Sequence, residues 1–186
     1  MRKIINSTYI TLDGVIGDPQ DWPGNGIEPD GTGGKIQLDL LFGCDALLMG
    51  ARTYPGMAAA WMARSGDPYS DRINSMTKYV VSSTLRDPEW NNTTVLSGDP
   101  IAEIRRLKEQ PGLDIVQYGF GQLSYTLLEQ GLLDELRLWV HPLFVGKASS
   151  ADLLFRPSAT AQFELTDTLA LNTGTVILTY RLPADR

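Results

Sequence analysis

Two stretches of this chain share the same punctuation: an apolar run, a glycine, then the start of a helix. The first is Leu47-Leu48-Met49-Gly50-Ala51-Arg52-Thr53-Tyr54-Pro55. The second is Asp114 to Tyr118, followed by Gly119-Phe120-Gly121 and then by Gln122 to Gln130. A short continuous apolar run reads as a buried strand, and a glycine lets the chain turn where a Cβ would obstruct it. Thr53 is predicted to N-cap the helix that follows, with Pro55 inside its first turn. Such a turn directs unpaired backbone N–H groups and the positive end of a helix dipole at whatever lies above it. A phosphate fits there, and Arg52 can add a cation. The same turn is also a plain connection in any α/β protein, so taken alone it does not separate the two roles.

The rest of the chain repeats the alternation. Lys3 to Leu12, rich in β-branched and aromatic residues, predicts a first strand that ends at Asp13-Gly14. Lys35 to Phe42 predicts a short helix, Ala46 to Met49 a strand, and Pro55 to Ala63 the helix after it. Arg64 to Ser70 reads as a polar turn, Asp71 to Thr77 as a short helix, and Lys78 to Ser82 and Thr93 to Leu96 as strands. Asp99 is an N-cap with Pro100 at the first helical position, and Ile101, Ile104 and Leu107 repeat at helical spacing up to Pro111-Gly112. Leu136 to His141 alternates with period two, and Phe163 to Leu171 with Thr175 to Leu182 forms a hairpin across Asn172-Thr173-Gly174. These elements predict one α/β domain over residues 1–186, with three layers. Its central sheet is mixed and mostly parallel, with helices on both faces and a C-terminal antiparallel hairpin. Ligands on such sheets bind beyond the carboxyl ends of the strands, where both glycine turns fall.

Composition narrows the function. The 186 residues are 42% hydrophobic, enough for one packed core. The net charge of −6 without a Lys/Arg stripe argues against a nucleic-acid or anionic-membrane surface. The single Cys44 reads as a buried structural thiol, and the single His141, at a strand end beside Pro142, as a structural histidine. No metal cluster is available from them. No window approaches a membrane span and no signal-like apolar block opens the chain, so a cytoplasmic, reducing location is expected. Asp18 to Gly34, broken by prolines and glycines around Trp22 and Ile27, is either a lid over a site or an inert loop. Trp139 alternates with the core residues of its strand, which predicts an outward tryptophan and a homodimer.

Neither glycine turn matches the six-position dinucleotide pattern or a P-loop. What the residues do resemble is the dihydrofolate reductase-like superfamily, and more closely the reductase domain of bacterial riboflavin biosynthesis with its stand-alone relatives. The matching pieces, in order, are Asp13-Gly14-Val15-Ile16-Gly17; Leu48-Met49-Gly50 with Thr53-Tyr54; Val81-Ser82-Ser83-Thr84-Leu85; Tyr118-Gly119-Phe120-Gly121-Gln122-Leu123; and Gly131 to Leu136 leading to His141-Pro142 and Gly146. The resemblance implies NADPH as cofactor. Gly50, Ala51, Arg52 and Thr53 would hold the diphosphate end, and Ser82 and Ser83 would lie near the adenosine 2'-phosphate. Gly119, Phe120, Gly121, Gln122 and Leu123 would line the second phosphate and ribose, and Ile16 and Gly17 would border the nicotinamide. Asp13, Asp39 and Trp22 are the candidates for substrate contact; the proton donor stays unassigned.

The chain departs from dihydrofolate reductases in two places. Ala51 follows Gly50 where they carry arginine, with Arg52 one place later, and Asp39 lies closer to the glycine turn than their substrate-binding carboxylate. The implied activity is hydride transfer from NADPH to a small pteridine- or pyrimidine-like heterocycle or a conjugated compound. Two alternatives remain. One is the 5-amino-6-(5-phosphoribosylamino)uracil reductase step of riboflavin synthesis, for which Arg72 or Lys78 would have to hold the phosphate. The other is a catalytically inactive binding or interaction protein on the same fold.

Overall fold

The computed structural model describes residues 1–23, 31–157 and 159–183. Eight strands form one sheet: β1 (Ile4–Thr11), β2 (Cys44–Gly50), β3 (Thr77–Val81), β4 (Thr93–Leu96), β5 (Asp114–Tyr118), β6 (Glu135–His141), β7 (Glu164–Ala170) and β8 (Val176–Arg181). Their order is β4-β3-β2-β5-β1-β6-β8-β7. The first six in that order are parallel, β8 adds antiparallel to β6, and β7 pairs antiparallel with β8. The mixed, mostly parallel sheet and its terminal hairpin follow the reading of the sequence.

The helices divide by face. One layer holds α1 (Thr32–Phe42), α2 (Thr53–Trp61) and α3 (Pro68–Ser75), which bury Leu40, Leu41, Tyr54 and Ile73 against Ile5, Leu47, Met49, Val80 and Val116. The other holds α4 (Pro100–Glu109) and α5 (Gln122–Glu129), which bury Ile104, Leu107, Leu127 and Leu128 against Ile4, Leu48, Ile115 and Leu136. Alternate residues of the inner strands enter alternate cores, which is why those strands read as continuous apolar runs.

Local signals account for most boundaries and for three differences. Asp99 caps α4 as read, its carboxylate accepting from the amides of Ile101 at 3.0 Å and Ala102 at 3.1 Å. The same device was overlooked at Asp67, which accepts from Tyr69 and Ser70, so α3 begins at Pro68 inside the stretch read as a polar turn. Thr53 does not cap α2. Arg52 already has right-handed helical torsions (φ −77°, ψ −30°), which makes Thr53 the first helical residue and leaves the cap position without a side-chain bond. The first helix starts at Thr32, three residues earlier than its apolar spacing indicated. Of the loop read as lid or inert, residues 24–30 lie outside the described residues.

The two edges of the sheet differ in how they are closed. At the amino edge, Arg2 pairs with Asp45, and Lys108 with Asp134. Arg72 donates to the carbonyls of Leu41 and Cys44. The carboxyl edge carries the glycine turns.

Candidate cofactor groove at the carboxyl edge

The residues singled out for a cofactor fall in one row. Along the carboxyl edge, neighbouring strands present Ser82-Ser83 after β3, Gly50 to Thr53 after β2, and Gly119 to Leu123 after β5, and beyond β1 lie Ile16-Gly17. Adjacent strands are about 4.8 Å apart, so the row spans roughly 14 Å from the serines to Ile16. The two glycine turns meet: a Cβ built on Gly50 would lie 3.7 Å from the Cβ of Leu123. Because α2 and α5 leave the sheet on opposite faces, this meeting point is the crevice of a topological switch.

Neither cap residue at these turns offers a side-chain acceptor, although at α5 Ser124 Oγ takes the Gly121 amide. Arg52 at α2 makes no capping bond, and Gly121 at α5 has no side chain to cap with. The contrast with Asp67 and Asp99 is chemical: a carboxylate cap would occupy the donors and repel an anion. Arg52 is exposed and makes no hydrogen bond or ion pair among the described residues, so its guanidinium is available beside the turn.

A buried polar network fixes the second turn. Asn6 Nδ2 donates to Gln117 Oε1 at 2.9 Å and to the Gly119 carbonyl at 2.8 Å, and Thr8 donates to Asn6 Oδ1 at 2.6 Å. Ser124 Oγ donates to Gln117 Oε1 at 2.9 Å and accepts from the Gly121 amide at 3.2 Å. Gly119 has φ 75°, a left-handed conformation suited to glycine. Asn6, Gln117 and Ser124 were missed in the sequence; for Asn6 and Gln117, polar residues inside two adjacent apolar strands were the available signal.

The other nominated residues separate. Ser82 is buried, and its hydroxyl accepts from the amides of Thr84 and Leu85, closing the turn that exposes Ser83. Phe120 reaches the groove only through its backbone, since its ring is buried edge-on against Tyr125 at 4.8 Å. The amides of Ile16 and Gly17 donate to the Asp152 carbonyl, and a Cβ on Gly17 would stand 3.0 Å from the Asp152 side chain, which would have to shift to admit it. Trp22 folds in, 5% exposed, its indole donating to the Gly17 carbonyl at 2.8 Å and its ring edge-on to His141. Asp13 is not a free carboxylate. It accepts from the Thr11 hydroxyl and the amides of Gly146 and Val145, which hold its pKa below the usual carboxylate value.

Of the two positions open to Asp39, near the cleft or on the solvent face of its helix, it takes the second: it is exposed, paired with Lys35 and beside Cys44, Asp114 and Arg137 at the amino edge. One expectation is corrected. Trp139 does not point outward. It is 3% exposed, packs with Tyr9, Leu171 and Ile177, and donates to Ser7 Oγ at 3.1 Å. The hairpin and α1 cover the strand face that alternation alone left open.

Comparison with known proteins bears on the family and the fold. The RibD C-terminal domain matches residues 2–177. The uncharacterized protein YyaP of Bacillus subtilis strain 168 is 27% identical over 96% of this chain and 94% of its own length. Among solved structures, a candidate riboflavin biosynthesis protein from Shewanella sp. PV-4 superposes with a TM-score of 0.75 at 19% identity, over 97% of this chain and 99% of that one. A diaminohydroxyphosphoribosylaminopyrimidine deaminase/5-amino-6-(5-phosphoribosylamino)uracil reductase from Thermotoga maritima gives 0.67 at 16% identity, over 98% of this chain and 57% of that one. The architecture is thus the dihydrofolate reductase-like fold. The chain belongs to the RibD C-terminal domain family, a family of reductases. No helix among the described residues is long and apolar enough to cross a membrane.

Proposed function

We propose that the protein is an NADPH-dependent reductase of a small pteridine- or pyrimidine-like heterocycle or related conjugated compound, acting as a homodimer. One observation carries the reading: the glycine turns that open α2 and α5 meet at the carboxyl edge, neither cap residue offering a side-chain acceptor, with Arg52 exposed and unpaired among the described residues. NADPH, when bound, supplies the hydride. The amides opening α2 and α5 would hold its diphosphate, and Arg52 with exposed Ser83 would take the additional phosphate. Trp22, tied to Gly17 and packed on His141, would exclude water beside the nicotinamide.

Fluorescence titration with NADPH and NADH tests this. Wild type takes up NADPH, and Arg52→Gln weakens NADPH by about tenfold while leaving NADH unchanged, as expected for one charge-assisted bond to phosphate. Absence of uptake at millimolar nucleotide overturns the reading in favour of a binding protein that has kept only the fold. The riboflavin-synthesis alternative loses the two cations nominated for its phosphate. Arg72 is spent on carbonyls of the amino edge, and Lys78 is fully buried, donating to the carbonyls of Asn74 and Met76. Dimerisation draws its support from β7, an edge strand exposed along its whole length, with Leu165 and Leu169 in the open.

A further inference from the structure

Between β6 and β7 the chain closes on a single side chain. Arg156 Nη1 donates to the carbonyls of Ser150 and Leu153, both at 2.8 Å, and of Phe155 at 3.0 Å, and Nη2 donates to that of Ala151 at 3.0 Å. The guanidinium carbon lies 5.3 Å from the centre of the Tyr125 ring on α5, whose hydroxyl donates to the Leu154 carbonyl. A guanidinium stays charged and carries five donors in a rigid plane, so one side chain can satisfy a ring of carbonyls turned toward it. Among the described residues Arg156 forms no salt bridge. Its hydrogen bonds go into the shape of residues 150–155.

The loop held in this way carries the strip nominated to border the nicotinamide. The Asp152 carbonyl accepts from the amides of Ile16 at 2.7 Å and Gly17 at 3.2 Å, the Leu154 amide donates to the Gly14 carbonyl at 3.0 Å, and Val15 forms an antiparallel bridge with Leu153. The carbonyls on either side of Asp152, those of Ala151 and Leu153, are both bonded to Arg156, so the guanidinium brackets the carbonyl that holds Ile16 and Gly17. The turn that Thr11 closes on this strip ends at Val15, through its amide and its carbonyl. Ile16 and Gly17 therefore depend on Asp152 for their backbone donors. A loop keeps one geometry only when its bonds over-determine it, and here a single side chain supplies four of them.

We infer that Arg156 is a positioning residue for the wall formed by Ile16 and Gly17: it bonds to neither and fixes both through Asp152. Its consequence for chemistry rests on the reductase reading above, in which this wall sets where the nicotinamide ring stands and a small displacement of the reacting centre is costly. The latch itself does not rest on that reading. Amide hydrogen exchange is followed in the full-length wild type, Arg156→Ala and Arg156→Lys, and NADPH and 2'-phospho-ADP-ribose, which lacks nicotinamide, are titrated into each. In Arg156→Ala the amides of Ile16 and Gly17 exchange at least about tenfold faster, while those of Leu48 and Val116 in the sheet keep their protection. The affinity ratio of NADPH to 2'-phospho-ADP-ribose falls about tenfold, and the second nucleotide binds as it does to wild type. Guanidinium chloride far below denaturing concentration reverses both changes in Arg156→Ala, and sodium chloride at the same ionic strength does not, because only a planar donor refills the ring of carbonyls. Arg156→Lys keeps the charge without the fork and shifts both readouts in the same direction, which serves if the alanine variant does not fold. The assignment is overturned if Ile16 and Gly17 exchange in the variants as in wild type, or if the sheet amides and both nucleotides change together, the mark of general loosening. Wild type that takes up neither nucleotide fails the reductase reading, and the exchange rates with their rescue then decide the latch by themselves.

Discussion

Lys78 shows how far burial changes a residue. Its ammonium is fully buried under Trp90, 4.6 Å from the ring centroid, and bonded to two carbonyls at the end of α3, with no carboxylate partner among the described residues. Burial lowers its pKa from 10.5 to about 8. The unfolded chain therefore holds this proton more firmly, so the lysine costs stability below pH 8. That cost is relieved as pH rises from 8 to 10.5, by an amount on the order of 3 kcal/mol. Cys44, pushed up to about 12, and the buried tyrosines oppose the trend at higher pH, so the wild-type curve alone mixes them. Denaturant unfolding of wild type and Lys78→Met at pH 7.5 and 9.5 isolates the term, and wild type should gain on the variant with rising pH. His141 behaves in the same sense at lower pH. Burial depresses its pKa, so the fold loses stability as pH drops below about 6.5 and the unfolded chain takes up the proton.

Among the helices, stability and binding make opposite demands on the first turn. Asp67 and Asp99 cap α3 and α4 with carboxylates, and replacing Asp99 by alanine should cost about 1 kcal/mol in urea unfolding. At α5 the cap residue is Gly121, with an extended backbone (φ −108°, ψ −165°) and open space where a Cβ would stand. Gly121→Asp therefore adds a cap without strain. It should stabilise the fold by about 0.5 kcal/mol while weakening NADPH at least about tenfold, because the new charge sits where phosphate is proposed to bind. A variant that gains stability and keeps full NADPH affinity would place the nucleotide elsewhere. The same contrast explains what the sequence disclosed. Proline after aspartate and glycine after an apolar run are local signals, and they placed α4, β4, β5 and the row of groove residues. The network of Asn6, Gln117 and Ser124 was hidden because it depends on strands distant in sequence lying side by side. Trp139 was misplaced for a related reason: periodicity tells which residues share a face, not what later covers a strand.

Across the whole molecule the two edges of the sheet have different work. Ion pairs and buried cations close the amino edge, whereas the two glycine turns and exposed Arg52 mark the carboxyl edge. On the flank, β7 leaves Leu165 52% and Leu169 42% exposed. Replacing both by lysine should convert a dimer into a monomer in light scattering while the thermal midpoint changes little; a wild-type monomer would remove the homodimer from the proposal. Cys44 begins β2 at the closed edge, with no accessible surface and a thiol that stays protonated at neutral pH. As the chain's single sulfhydryl it is a natural stopwatch. A disulfide reagent such as Ellman's can reach it only while the ion-paired end of the sheet is breached, so the colour it releases counts excursions of the fold, one chain at a time.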